Sequence, residues 1–297
     1  MHYPVLISPA RVPELNAIVE NPDGSVFIGG AASLSSVERA LAAIERTEEG
    51  VGRGVQGAVR ACIDMLRWFA STQIRNVACL AGNLATASPI SDMNPLLAAC
   101  GADVLLQSAR GGERRVKVRD FFLGYRKVAM ELDEVIVGVS LPNACSGKSD
   151  GDIAVSLKFV RPFKQARRRE DDISIVASGM RVRLEPREGK WVVVEAGLCL
   201  GGMAPTTVAA PRTEAFLVGK EWSAGVMVGA YEKLAEDLPL PPNVPGGQCE
   251  YRRALPPSFL FKFFVEVSLR MEALLQGRDG EEELPSPPEI AEADRCA

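Results

Sequence analysis

The spacing of apolar residues predicts a mixture of helices and strands in the first half of the chain. In residues 54–70, apolar side chains recur every three or four positions, which is the period of an amphipathic helix. Shorter apolar runs bounded by Gly, Pro, Asn or Asp predict strands. The predicted helices of this half are 34–44, 54–70 and 96–100. Its predicted strands are 4–9, 26–32, 102–108, 114–118 and 134–142, and 120–127 is predicted to be a loop.

Two of these helices carry capping signals. Ser33 or Ser35 stands at the start of helix 34–44, where a hydroxyl can accept a hydrogen bond from an unpaired amide. Asn94 is the predicted cap of the next short helix, with Pro95 at its first position and Gly101 just beyond its end.

Beyond residue 152 the apolar runs lengthen and predict an antiparallel meander followed by helices. The predicted strands are 153–160, 173–185 and 190–203, and the predicted helices are 213–217, 224–238 and 258–276. A sheet of this kind with segregated helices belongs to the α+β class. The polar stretch 145–152 is the predicted boundary, so we expect domains at 1–144 and 150–276. The acidic, proline-containing tail 277–297 is expected to be disordered.

Composition excludes several classes of protein. The chain has 297 residues, 47% hydrophobic and 24% charged, which is enough for a buried core and argues against disorder throughout. A net charge of -4 does not provide the basic surface of a nucleic-acid binder. We find no apolar run of membrane-spanning length and no secretory signal at the first residues. We therefore expect a cytoplasmic protein, with a peroxisomal location left open.

Cysteine and histidine usage argues that any chemistry belongs largely to a bound cofactor. The seven cysteines are scattered and form no Cys-x-x-Cys pair, so a zinc ribbon or an iron–sulfur ligand run is not expected. They suggest a reducing compartment and mostly buried thiols. The sole histidine is His2, which leaves little material for a His-dependent nucleophile or metal site.

The stretch Ile74–Pro95 carries the most specific chemistry. Gly82 and Asn83 are typical of a turn in which the backbone approaches a ligand closely, and Gly82 is free to adopt positive φ. Thr86 and Ser91 can donate to phosphate or ribityl oxygens, and Asp92 can accept from hydroxyls. With a helix start close behind, such neutral donors suit a phosphate held by peptide amides. On composition alone, a Gly/Ser/Pro-rich surface turn with a helix cap is the favoured explanation of the stretch.

The same stretch resembles the flavin-binding loop in the FAD domain of xanthine dehydrogenase and its molybdenum hydroxylase relatives. Further matching segments occur in the family's order and at similar spacings. They are Leu66–Ala70, Phe121–Lys127, Phe163–Ile173, Gly201–Pro205, Pro245–Gln248 and Ser258–Phe264. The resemblance extends to about Leu275 and is strongest to the xanthine dehydrogenase branch, particularly to plant-like versions.

The resemblance implies an α+β FAD-binding domain of the PCMH/CO dehydrogenase flavoprotein type, truncated at both ends. Its N-terminal part, with a glycine-containing turn for the pyrophosphate, is expected to be missing. The second half would be a CO dehydrogenase flavoprotein C-terminal-like domain. In that family, electrons from iron–sulfur clusters pass through FAD to NAD, while iron–sulfur and molybdopterin domains lie outside the FAD domain. The implied cofactor is FAD, the implied electron acceptor is NAD, and the implied partners are those domains or separate subunits.

The resemblance also assigns roles to individual residues. FAD contacts are implied at Phe69, Cys79, Leu80, Ala81, Gly82, Asn83, Asp92, Ile136 and Lys164, beside the hydroxyls of Thr86 and Ser91. The side of the pocket that faces NAD is implied at Tyr125, Glu170 and Asp171. A cluster that sets whether FAD faces NAD or oxygen is implied at Arg67, Trp68 and Arg169.

Simpler explanations exist for several of these residues. On the sequence alone, core packing is the favoured explanation for Phe69 and Ile136, and Lys164 is explained as part of a solvated basic loop. Arg67, Trp68 and Arg169 are equally explained as an ordinary surface contact between arginine and an aromatic ring.

The chain departs from the family pattern at Ala81, where the family usually has a glycine. If that position required positive φ, alanine would cost about 1 kcal/mol. Together with the expected truncation, this leaves three functions open. The first is the FAD-carrying part of a xanthine dehydrogenase-type oxidoreductase. The second is a non-catalytic remnant or interaction fragment. The third is a flavoprotein subunit of a CO dehydrogenase-like or aldehyde oxidase-like complex.

Overall fold

The computed structural model describes residues 5–49, 57–143, 156–275 and 286–290. The helices are α1 (Pro13–Asn16), α2 (Leu34–Glu49), α3 (Ala58–Arg67), α4 (Thr72–Arg75), α5 (Leu80–Thr86), α6 (Met93–Cys100), α7 (Val118–Phe121), α8 (Pro211–Leu217), α9 (Ala224–Asp237) and α10 (Cys249–Leu275). The strands are β1 (Ile18–Glu20), β2 (Val26–Gly29), β3 (Asp103–Ser108), β4 (Gly112–Lys117), β5 (Phe122–Gly124), β6 (Lys127–Val128), β7 (Val135–Leu141), β8 (Leu157–Gln165), β9 (Val176–Arg187), β10 (Lys190–Gly201) and β11 (Val208–Ala209).

The first half contains a five-stranded antiparallel sheet in the order β1-β2-β7-β3-β4. One face of this sheet is buried because alternate side chains, such as Val104 and Leu106 in β3, point toward helices. Leu34 in α2, Met65 in α3 and Leu80 in α5 belong to the same hydrophobic core. The predicted hairpin of β3 and β4 is confirmed.

The second half contains a four-stranded antiparallel sheet in the order β11-β10-β9-β8. Helices α8, α9 and α10 share a second hydrophobic core with it, in which Trp191, Trp222 and Phe263 are almost fully buried. The predicted meander is therefore present, and the α+β class is confirmed. In the part of the chain that the structure describes, no helix has the length and apolar content needed to cross a bilayer.

Helix α6 lies between the two halves, and all eight of its residues are buried. Its backbone approaches the second sheet closely at two glycines. A Cβ on Gly179 would lie 2.4 Å from Leu96 Cα, and a Cβ on Gly197 would lie 2.6 Å from Ala99 O. Since real side chains do not approach so closely, these glycines are what allow α6 to pack on β9 and β10.

Several sequence-based expectations are wrong. Residues 5–9 form no strand, because Val5, Leu6 and Ile7 are exposed rather than packed against a sheet. Residues 120–127, predicted to be a loop, contain the end of α7 and most of the small β5–β6 hairpin. These short elements lack the sustained periodicity on which prediction depends.

Helix α10 begins at Cys249, well before the predicted start at 258, and continues through Pro256 and Pro257. Proline favours a helix boundary because it lacks an amide hydrogen. Here the helix continues through the two prolines, and Leu255 and Pro256 are buried in the protein. The predicted boundary 145–152 lies outside the described residues. In the tail 277–297, only residues 286–290 are described, and they have no regular secondary structure.

Candidate functional site

The predicted ligand loop Ile74–Pro95 contains a helix, α5, where a turn was expected. Cys79 is its N-cap, and the Cys79 Sγ accepts a hydrogen bond from the Gly82 amide at 3.4 Å. Gly82 and Ala81 are therefore helical, and neither is among the residues with positive φ. Of the two possibilities for Gly82, close backbone approach or positive φ, the structure excludes positive φ, and alanine at position 81 carries no left-handed strain. The short helix leaves the Gly82 backbone exposed.

The hydroxyl groups of the stretch have partners inside the protein. Thr86 Oγ1 donates to the Gly82 carbonyl at 2.7 Å, within α5. Ser91 Oγ donates to Asn83 Oδ1 at 2.6 Å and accepts from the Asn94 amide at 3.3 Å. These bonds connect the C-terminal side of α5 to the start of α6, so they support the shape of the stretch. Asn94, the predicted helix cap, lies inside α6, and Asp92 occupies the cap position.

A buried ion pair brings the two halves together at this stretch. Lys164 Nζ on β8 donates to Asp92 Oδ2 at 2.7 Å and to the Trp68 carbonyl at 2.8 Å. The side chains of Lys164 and Asp92 are 9% and 10% exposed. Asp92 Oδ1 accepts from Ser174 Oγ, so both carboxylate oxygens are bonded. Lys164 is therefore not part of a solvated loop, and a buried charge of this kind requires its partners.

Two cations hold the chain at the C-terminal end of α3. Lys164 binds the Trp68 carbonyl, and the Arg75 guanidinium donates to the carbonyls of Phe69 at 2.8 Å and Ala70 at 3.0 Å. These cations also suit the negative end of the helix dipole. Ala70 has a φ of 43°, which a residue with a Cβ adopts at a cost. The position of the half-buried Phe69 ring is thus fixed through its backbone.

The N-terminus of α5 packs against the first sheet. The Ala81 amide donates to the Gly30 carbonyl at 3.3 Å. A Cβ on Gly30 would lie 2.5 Å from Ile136 O and 3.1 Å from Ala81 Cβ. Glycine at position 30 therefore makes room for the methyl group of Ala81. The contact also places the implied FAD residues Ala81 and Ile136 side by side.

The implied cluster around Trp68 is present. The guanidinium carbons of Arg67 and Arg169 lie 5.1 Å and 5.3 Å from the Trp68 ring centroid. Both are within the range of a cation–π contact. Arg169 belongs to the exposed loop 166–172, so this contact joins that loop to the end of α3.

The residues implied for the NAD side lie on two exposed loops. Tyr125 is in the turn between β5 and β6 and is 60% exposed, with the Arg126 guanidinium over its ring at 5.8 Å. Glu170 and Asp171 are in loop 166–172, where Asp171 has a φ of 48°. The Arg168 amide donates to Asp172 Oδ2 at 2.7 Å and lowers the pKa of that carboxyl. This bond gives the loop an internal brace.

Three supporting residues of this site were not predicted from sequence. Arg75 and Ser174 have no motif of their own and act by holding residues of the matching segments, Arg75 at Phe69 and Ser174 at Asp92. Nothing in a single sequence signals those contacts. Gly30 was assigned to the end of a strand. The pair Gly29–Gly30 is a signal in the sequence that could have indicated a close approach of two backbones.

The donor set fits a flavin nucleotide by its chemistry. It combines the half-buried aromatic ring of Phe69, a buried cation at Lys164 and the exposed main chain at Gly82. The expected grip by peptide amides is not seen, because the amides of Ala81, Gly82 and Asn83 all donate to acceptors within the protein. Lys164 has three N–H donors, of which two are used by Trp68 O and Asp92 Oδ2. The exposed Gly82 has no side chain to obstruct a ligand at α5.

Comparisons with known proteins cover most of the chain. Xanthine dehydrogenase 1 of Arabidopsis thaliana is 42% identical over 268 residues, which is 90% of this chain and 19% of that protein. Xanthine dehydrogenase/oxidase of Gallus gallus is 40% identical over 295 residues, which is 99% of this chain and 20% of that protein. The chain thus spans about a fifth of the length of these curated relatives.

A solved chain of Cu,Mo-CO dehydrogenase, in its cyanide-inactivated form, has a similar structure. The TM-score is 0.64 at 25% identity, and the match covers 83% of this chain and 76% of that one. Two family models also match, at residues 1–144 and 161–267. The chain therefore consists of an FAD binding domain of the type found in molybdopterin dehydrogenase followed by a CO dehydrogenase flavoprotein C-terminal domain.

Proposed function

We propose that this chain is the FAD-carrying portion of a xanthine dehydrogenase-type oxidoreductase, organised as domains 1–144 and 150–276. In this proposal, FAD accepts electrons from iron–sulfur clusters of other domains or subunits and passes them to NAD. The observation that carries the proposal is the buried contact between Lys164 and Asp92. Asp92 lies in the region matched by the FAD binding domain and Lys164 in the region matched by the C-terminal domain, so the two domains meet at this contact, close to Phe69.

The chain's own residues would bind and orient the cofactor. The backbone of α5 offers an exposed surface at Gly82, and Ile136 and Phe69 provide apolar contact. Lys164 supplies a fixed positive charge, which favours negative charge on a reduced ring. Bound FAD would supply the redox chemistry, which is consistent with a chain whose only histidine is His2.

Flavin binding by the purified full-length chain tests this proposal. We expect micromolar protein to quench flavin fluorescence and to retain a yellow chromophore after desalting. Lys164→Met should weaken FAD binding at least about tenfold, because it removes a charge-assisted donor. The matched control is Lys117→Met, since Lys117 also bridges a carbonyl, Gly101 O, and a carboxylate, Asp103, but away from the site. A wild-type chain that retains no flavin contradicts the proposal and favours the non-catalytic fragment.

The acceptor side needs a separate test. We expect the FAD-loaded chain to reduce an electron-accepting dye with NADH, since loading supplies the flavin without the other domains. Tyr125→Ala should raise the KM for NADH and leave FAD affinity unchanged. Leu123→Ala is the control, because Leu123 lies on the same hairpin and is 68% exposed. If Tyr125→Ala and Leu123→Ala have the same KM for NADH, Tyr125 does not contribute to the acceptor site.

A second candidate is a flavoprotein subunit that works with separate partner chains. It is favoured by the extent of the structural match, since this chain covers 76% of the matched CO dehydrogenase chain. The apparent mass of the native polypeptide in cell extract distinguishes the two. A band near 32 kDa in a larger complex supports a subunit, whereas a much longer polypeptide supports one part of a multidomain enzyme.

A further inference from the structure

Ser174 occupies a buried position between the exposed loop 166–172 and strand β9. Its residue exposure is 3%, and its hydroxyl donates to Asp92 Oδ1. The other oxygen, Asp92 Oδ2, accepts from Lys164 Nζ at 2.7 Å. Lys164 in turn binds the Trp68 carbonyl at 2.8 Å. Ser174, Asp92, Lys164 and the Trp68 carbonyl therefore form one continuous chain of hydrogen bonds, which we call the Ser174 relay.

The hydroxyl of Ser174 has two physical effects on this relay. A carboxylate rotates readily about its last torsion, and a donor on each oxygen fixes its plane. Asp92 as a whole residue is 7% exposed, so water contributes little to holding its carboxylate. The hydroxyl also withdraws part of the carboxylate's negative charge. The Asp92 carboxylate then cancels less of the positive electric field that the Lys164 ammonium produces near Phe69.

We propose that Ser174 is a positioning residue for the flavin site: it orients Asp92, and through Asp92 it sets the place and the effective charge of Lys164. The inference rests on the proposed function, because its consequence is read at the flavin. In this role Ser174 changes the affinity and the midpoint potential of bound flavin without touching the cofactor itself.

Ser178 provides a matched control for a substitution at Ser174. It lies in β9, four positions further on, and is completely buried. In the part of the chain that the structure describes, Ser178 Oγ has no hydrogen-bond partner. Ser174→Ala and Ser178→Ala therefore remove the same atom from two buried sites, but only the first removes a bond to Asp92.

The experiment measures FAD affinity and the midpoint potential of bound flavin in the full-length chain. We expect Ser174→Ala to raise the Kd for FAD about five- to tenfold, which is less than the full value of a hydrogen bond to a charged group because Ser174 acts on FAD only through Lys164. It should also lower the midpoint potential, because less positive field reaches the reduced ring. Ser178→Ala should leave both quantities at their wild-type values. Ser174→Thr, which keeps the hydroxyl, should restore the midpoint potential even if the added methyl group lowers stability.

Each outcome bears on a definite part of the proposal. If the wild-type chain binds FAD but the midpoint potentials of Ser174→Ala and Ser178→Ala are equal, the role of Ser174 is overturned and the proposed function is not. A wild-type chain without flavin binding overturns the proposed function and this inference with it. A double-mutant cycle of Ser174→Ala and Asp92→Ala, which removes the acceptor entirely, in unfolding experiments on the apo chain reports the hydrogen bond itself. Additive effects in that cycle show that the Ser174 relay does not exist in solution.

Discussion

Helices α5 and α6 are consecutive in the chain, yet they differ in almost every physical respect. All eight residues of α6 are buried between the two sheets, and two glycines of the second sheet make room for it. Helix α5 has seven residues, of which Leu80 and Leu84 are buried, while Gly82 and Thr86 are exposed. Helix α6 therefore holds the two halves together, whereas the proposed function assigns α5 to the flavin site.

The largest expected effect is on α6. Gly179→Val should lower the free energy of unfolding by at least about 3 kcal/mol, because its Cβ would overlap Leu96 Cα and Pro95 O. Urea denaturation measures this change. The control is Gly225→Ala on α9, where a Cβ meets no atom within 4 Å and should be neutral or slightly stabilising. Comparable stabilities of the two variants would mean that α6 does not pack on β9 as described.

The next effect compares the two ends of α6. Lys164→Met leaves the buried Asp92 at the start of α6 without its charge partner and should cost about 3 kcal/mol. Lys117→Met removes a similar pair with Asp103 just beyond the end of α6, but this lysine is 55% exposed. It should cost less than about 1 kcal/mol. Thermal unfolding of both variants gives the comparison, and similar losses would contradict the burial of Lys164.

Two cysteines report on the same contrast. Burial raises the pKa of Cys100, the last residue of α6, to about 12. Cys79, the N-cap of α5, is half-buried. We expect iodoacetamide to alkylate Cys79 in the native chain and to leave Cys100 unmodified, as judged by peptide mass spectrometry. Early modification of Cys100 would show that α6 opens readily.

The same raised pKa gives a pH dependence of stability. The folded state favours the neutral thiol of Cys100, so its contribution is complete below the unfolded pKa near 9 and is lost as pH rises toward 12. Between pH 8 and pH 10 the loss should be about 1 kcal/mol. Comparison with Cys100→Ala isolates this slope, since the variant has no thiol at that position. Parallel pH profiles would contradict the burial of the thiol.

The sequence predicted α6 better than α5 for a physical reason. An apolar run that ends at Gly101 indicates a buried helix, and Gly101 has the left-handed φ of 76° typical of a helix end. In α5, Gly82, Asn83 and Thr86 have the composition of a turn, and the short helix depends on tertiary contacts. Those contacts are the Ala81 amide bonded to Gly30 O and the burial of Leu80 and Leu84.

The candidate site shows the same limit. Resemblance placed Asp92 and Lys164 among the ligand contacts, but not their bond to each other or to the Trp68 carbonyl. Lys164 is 72 positions from Asp92 and 96 from Trp68, so only the folded chain brings them together. Ser174 carries no motif at all. Local propensity therefore accounts for many of the elements, whereas the charge network depends on how the two halves meet.

The smallest expected change in stability is the sharpest test of α5. Gly82→Ala adds a Cβ that would lie 3.4 Å from Cys79 Sγ, an ordinary contact, on an exposed helical position. It should therefore stabilise the apo chain by about 0.5–1 kcal/mol. If a flavin nucleotide lies against the bare backbone at Gly82, the same methyl group should weaken FAD binding about tenfold, which fluorescence titration measures. Gly225→Ala again is the control, since it makes the same chemical change in α9. A Gly82→Ala chain that gains stability and keeps wild-type FAD affinity would show that the ligand does not lie on α5, whatever else binds it.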